Sequence, residues 1–173
     1  AEDSMVEYLA SLPMMALVCD YDHNAPTPEY LEATHEPLYR MFRKTHPTTP
    51  IVFISKPDHC KDPINDARRA IVAATYEKAK AEGDENVYYI DGESFFMGKY
   101  EYECTLDAVH PNDLGFILMA DGIEEVYRCI QMFESGNKTK VVILGGYLES
   151  VKRQCRKTSV RLRSYVQKQV GAF

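Results

Sequence analysis

The sharpest candidate for chemistry in this chain is the run Asp107-Ala108-Val109-His110-Pro111-Asn112-Asp113, followed by Gly115 and by Met119-Ala120. A carboxylate three residues before an imidazole can fold onto its Nδ1. That contact fixes the tautomer and leaves Nε2 to take a proton from a hydroxyl, which is the chemistry of a general base serving a nucleophile. Pro111 and Asn112 suit the entry of a helix, whose cap would give His110 a firm support. A bare Asp-x-x-His is more often a surface turn; the Pro, Asn and Gly that follow make this run far more specific.

A second polar cluster, Asp20-Tyr21-Asp22-His23-Asn24-Ala25, follows the apolar run Met14-Met15-Ala16-Leu17-Val18-Cys19. It offers carboxylates and an amide donor, with His23 read as a loop-bracing partner of Asp22. His35, His46 and His59 sit in polar helix or loop patterns and are expected to have no special role. Tyr88, Tyr89, Tyr100 and Tyr102 have the rings to stack on a sugar, but such tyrosines are more often core and rim.

The elements that must position these groups are read from periodicity. Met5, Val6, Tyr8, Leu9 and Leu12 recur at helical spacing before Pro13, and residues 14–19 read as a buried strand. Tyr30, Leu31, Leu38, Met41 and Phe42 mark an amphipathic helix, which Pro37 is expected to interrupt. Ile51-Val52-Phe53-Ile54 reads as a second strand. Ile64, Ala67, Ile71, Val72 and Ala74 read as the buried side of a helix closed near Gly83. Val87-Tyr88-Tyr89-Ile90 is the third strand, and a long loop from Asp91 to Pro111 leads to a helix from Asn112 to about Glu134. Continuous apolar strands alternating with helices indicate an α/β fold, a parallel sheet with helices on both faces. Chemistry in such sheets collects beyond the carboxyl ends of the strands. Asn24, Asp107 and His110 are therefore expected to converge at that edge. Val141-Val142-Ile143-Leu144 reads as a fourth strand, and residues 148–170 as a basic helix.

The composition, 45% hydrophobic and 27% charged over 173 residues, is that of one globular domain rather than a disordered chain. Residues 1–136 carry 11 Lys/Arg against 25 Asp/Glu, whereas residues 137–173 carry 9 against Glu149 alone. That division sets an α/β domain, 1–136, apart from a basic extension, 137–173, whose plainest reading is a solvated helix, a surface that meets nucleic acid or an acidic partner being the alternative. Five scattered cysteines without a Cys-x-x-Cys pair indicate free thiols rather than a zinc site or a disulfide framework. No stretch approaches the roughly 20 apolar residues of a membrane helix, and Ala1-Glu2-Asp3-Ser4 lacks the pattern of a signal peptide. The reading leans to the cytoplasm, with the start of the chain left open because it lacks Met.

The run Asp107-x-x-His110-Pro111-Asn112-Asp113-x-Gly115 resembles the last conserved block of SGNH (GDSL-like) hydrolases, in which Asp and His complete a Ser-His-Asp triad. Asp22-His23-Asn24-Ala25 falls where that family has its Gly-x-Asn-Asp block, so Asn24 matches the oxyanion donor. Asp22 and Ala25 depart from that block, and Asp-Tyr-Asp-His-Asn-Ala is similar to a variant in an SGNH branch from gut bacteria. The resemblance covers roughly residues 1–134. It implies the flavodoxin-like SGNH hydrolase fold, incomplete here, and hydrolysis of an acyl ester on a carbohydrate or small alcohol. It implies His110, Asp107 and Asn24 as site residues, no cofactor or metal, no nucleic acid or membrane partner, and homo-oligomerisation as an open outcome.

The family's nucleophilic Ser follows its first strand in a Gly-Asp-Ser block, and no such strand precedes Asn24. Ser4 in Glu2-Asp3-Ser4 mimics the block but sits on an apparent helix. Val141 to Tyr147 resembles the strand and Gly of that block as a circular permutation would place it, with Tyr147 in place of Ser. The chain is therefore expected to turn over poorly. Two other readings stay open. Ala16 to Asp22 resembles the strand-Asp-x-Asp motif of haloacid dehalogenase-like phosphatases, with Asp20 as nucleophile, Asp22 as acid, Mg²⁺ as cofactor and Ser55-Lys56 near the phosphate. The third is a non-catalytic ligand-binding module.

Overall fold

The computed structural model describes residues 2–57, 62–98, 100–129 and 141–144. They fall into two units, one of residues 2–56, 62–91 and 141–144 and the other of residue 57 with 92–98 and 100–129. Among the described residues no helix is long and apolar enough to cross a membrane.

The first unit is built on a parallel sheet of β1 (Ala16–Cys19), β2 (Ile51–Ile54), β3 (Val87–Ile90) and β4 (Val141–Leu144) in the order β3-β2-β1-β4. Leu17 pairs with Ile51 on one side and Val142 on the other, and Ile51 pairs with Val87. Every residue of β1 and β2 is buried, which accounts for their unbroken apolar sequence. β3 is less covered, with Val87 and Ile90 buried at its ends and Tyr88 and Tyr89 half-buried between them. The fold is α/β with a parallel sheet, as its periodicity indicates.

Helix α1 (Asp3–Ala10) buries Val6 and Ala10 and leaves Met5 and Tyr8 exposed. Helix α2 (Pro28–Thr45) starts at a Thr27 cap, whose hydroxyl accepts from the Tyr30 amide at 3.2 Å, with Pro28 in the first turn. It runs straight through Pro37, against the expected interruption. Pro37 and Ala33, the residue whose carbonyl loses its donor, are both exposed, so water can satisfy that carbonyl. The remaining cost, about 3 kcal/mol for an interior proline, is smaller than the gain from the buried Leu38, Tyr39 and Phe42 beyond it, about 1.5–3 kcal/mol for each large side chain. His35, expected on a polar face, is buried instead. Its Nδ1 lies 2.8 Å from the Thr75 hydroxyl, and its ring stacks on Tyr21 and tilts against Phe53.

Helix α3 (Pro63–Ala81) is capped by Asp62, whose carboxylate accepts from the Ile64 amide at 2.9 Å. Gly83, at φ +89°, closes it, with the Asp84 amide returning to the Ala79 carbonyl at 3.0 Å. Its buried residues are Asn65, Arg68, Val72, Thr75 and Ala79. This corrects the apolar-face reading, since Ile64, Ala67 and Ala74 are exposed and Ile71 only partly covered. The stripe has the expected spacing of three and four residues, but polar side chains occupy much of it. At the opposite edge, the Arg43 guanidinium joins the Asp84 carboxylate at 2.7 Å and the carbonyls of His46, Thr49 and Asn86, fastening α2 to the segments that enter β2 and β3.

The second unit holds the short helix α4 (Glu93–Phe96), the loop from Met97 to Asn112, and α5 (Asp113–Cys129). The basic helix read over residues 148–170 lies outside the described residues.

Candidate active site

The loop before α5 forms a small closed structure. Thr105 and Pro111 face each other in an antiparallel bridge, the Leu106 amide donates to the His110 carbonyl at 3.0 Å, and the Asn112 amide donates to the Cys104 carbonyl at 2.9 Å. The Asp107 carboxylate sits at its tip. One oxygen accepts from the backbone amides of Val109 (3.0 Å) and His110 (2.7 Å), and the other lies 2.6 Å from His110 Nδ1. Those donors, the His110 amide first and its ring second, hold the Asp107 carboxyl down to about 2. Asp107 therefore stays ionised at any ordinary pH, although it and His110 are more than half exposed.

Helix α5 supports this pair from below. The Asn112 side-chain oxygen accepts from the amides of Leu114 (3.0 Å) and Gly115 (3.1 Å), and its nitrogen donates to the Glu103 carbonyl. Gly115 is required by close approach, because a Cβ there would lie 2.3 Å from the Cys104 carbonyl oxygen.

In the first unit, Asn24 lies on a 3-10 turn, Asp22–Asn24, just past the carboxyl end of β1. The chain winds from β1 through β2 to β3 in one direction and returns to β4 on the other side of β1. The β1–β4 boundary is therefore a topological switch point, the place where parallel sheets open a crevice for ligands. Asn24 is exposed there. Buried Asp22 accepts from the amides of His23 at 2.7 Å and Lys56 at 3.0 Å. From α3, Arg68 Nη1 donates to the carbonyls of Asp22 and Ala25. Asp20 is buried next to Asp22, and burial, then the Asp22 charge, pushes its carboxyl up to about 8. Burial raises the Asp22 carboxyl too, against the opposite pull of the Lys56 and His23 amides.

The sequence matches the model of the GDSL-like lipase/acylhydrolase family over residues 1–128. The chain belongs to this family. Two solved structures share the fold. One is a GDSL-like lipase from Bacteroides ovatus ATCC 8483, at a TM-score of 0.64 and 24% identity over 77% of this chain and 40% of that one. The other is the salicylyl-acyltransferase SsfX3 from a tetracycline biosynthetic pathway, at 0.61 and 20% over 75% and 42%. The chain thus spans about two-fifths of the length of either. No curated protein matches it.

Of the three residues read from the sequence, Asp107 and His110 are hydrogen-bonded to each other, and Asn24 lies in the other unit. Ser4 is exposed on α1; Tyr147 lies outside the described residues. The GDSL-like family match gives the phosphatase reading no support, and a protonated Asp20 would be a poor nucleophile. Ser55, read there as a phosphate contact, is wholly buried, with the Tyr89 hydroxyl 3.2 Å from its own. Arg68 was invisible as a functional candidate. Its signal was a basic residue on the buried stripe of a helix, which alone does not say what it meets.

Proposed function

We propose that this chain supplies the base and the oxyanion donor of an acyl-ester hydrolase acting on an acylated carbohydrate or small alcohol. His110 takes the proton of an attacking serine hydroxyl and later gives it to the leaving alcohol. Asp107 holds the ring in the productive tautomer and stabilises the imidazolium, and the Asn24 amide donates to the tetrahedral oxyanion. The serine is not evident in this chain. The observation that carries the reading is the 2.6 Å hydrogen bond from His110 Nδ1 to Asp107, a carboxylate that two backbone amides already orient.

The test is hydrolysis of an aryl acetate by the purified protein, with and without a chelator. Without a nucleophile, turnover should lie on the order of 10⁶ below that of an intact triad, yet still above water, since donors and binding alone give about 10³–10⁴. It should be insensitive to the chelator, fall in Asn24→Ala and change little in His110→Ala, since base and nucleophile act as one unit. Mg²⁺-dependent release of phosphate from an aryl phosphate, lost in Asp20→Asn, would overturn the proposal. Ordinary esterase rates lost on Ser4→Ala, or on the Ala variant of Ser150, the serine three residues after Tyr147, would identify the nucleophile.

A further inference from the structure

We infer that Arg68 is a positioning residue for Asn24, an inference that rests on the reading of Asn24 as oxyanion donor. Arg68 is 6% exposed, and a buried guanidinium in a small domain ordinarily finds a carboxylate. Here the Asp22 carboxylate is near enough to feel its charge, but the hydrogen bonds go from one nitrogen to two carbonyl oxygens, those of Asp22 and Ala25, which bracket Asn24 in sequence. The arrangement leaves Arg68 Nε buried without a partner among the described residues.

The rest of the loop follows the same plan. The Asp22 carboxylate ties the turn to the end of β2 through the Lys56 amide, while Arg68 ties it to α3. Asn24 is exposed on this turn, so where it stands follows the backbone that these two fastenings hold. An oxyanion donor stabilises charge only when it is aimed before the reaction, and a misplacement of about 1 Å can cost on the order of 10² in rate. Lysine keeps the charge and has donors enough on one nitrogen, but its flexible stem holds that nitrogen less firmly than the planar guanidinium does.

The experiment measures aryl-acetate turnover of the full chain for Arg68→Lys, Arg68→Met, Asn24→Ala and the double variants, together with amide exchange over residues 22–25. The contribution of the donor survives the lack of a serine, so it remains readable in slow turnover. Arg68→Met should lower kcat by about 10–100-fold with little change in KM. Arg68→Lys should fall between it and the wild type. In an Asn24→Ala background neither should cost more, since residues acting through one group are not additive. Exchange should quicken at Asn24 and Ala25 but not across α2. If Asn24→Ala is impaired but the Arg68 variants turn over normally, multiply its loss, or leave exchange unchanged, the inference is overturned and the donor reading stands. Wild-type turnover in Asn24→Ala removes both.

Discussion

Ala108 stands between the carboxylate and the imidazole that it serves, with φ at +65°. An L-residue in that region carries a cost of roughly 1–2 kcal/mol, which the bonds from Val109, His110 and Leu106 offset. Ala108→Gly should relieve it and leave stability equal or up to about 1 kcal/mol higher, whereas Ala108→Val should lose about 1–2 kcal/mol and loosen the Asp107 contact. Chemical denaturation of the two variants checks this; a Val variant as stable as wild type would show that the turn carries no strain. The Asp107–His110 pair was legible in the sequence because its geometry is local, three residues apart within one turn. The backbone amides that orient Asp107 were not, because they depend on a φ that alanine seldom adopts.

Helix α2 shows how pattern and environment part company at the scale of an element. Burial pushes the His35 imidazole down to about 4, below its ordinary 6.5, so it is neutral in the folded protein. Between those values the unfolded chain binds the extra proton, so stability from this group is present above about pH 6.5 and lost as pH falls toward 4. Asp20 works in the opposite sense, since its carboxyl is raised and its contribution fades as pH rises toward 8. The diagnostic quantity is therefore the difference between wild type and His35→Gln. Wild type should lose about 3 kcal/mol more than the variant between pH 7 and pH 4, measured by urea denaturation at each pH. Equal losses would place the titration elsewhere. Strand positions were legible because β1 and β2 are buried on both faces. The face of α3 was not, because Arg68 and Thr75 lie on its buried stripe to meet loop carbonyls and His35, partners that a hydrophobic period cannot announce.

Across the whole molecule, the sheet order puts β4 against β1 from Ala16 to Cys19. An apolar strand left as an open edge pairs readily with other chains. A chain ending at residue 136 should accordingly form species heavier than a monomer in light scattering, more than the full chain does. A folded, monomeric 1–136 would show that β1 needs no such cover. The division of the sequence at residue 136, drawn from charge, passes between β1 and the strand that flanks it, because charge reports on surfaces and a buried ladder leaves no mark on it. The same order has a consequence in time. β1 is complete at Cys19, and its neighbour does not begin until Val141, 122 positions later. At synthesis rates of about 5–20 residues per second, β4 emerges roughly 6–25 s after β1, while β2 and β3 are available to β1 sooner on its other side.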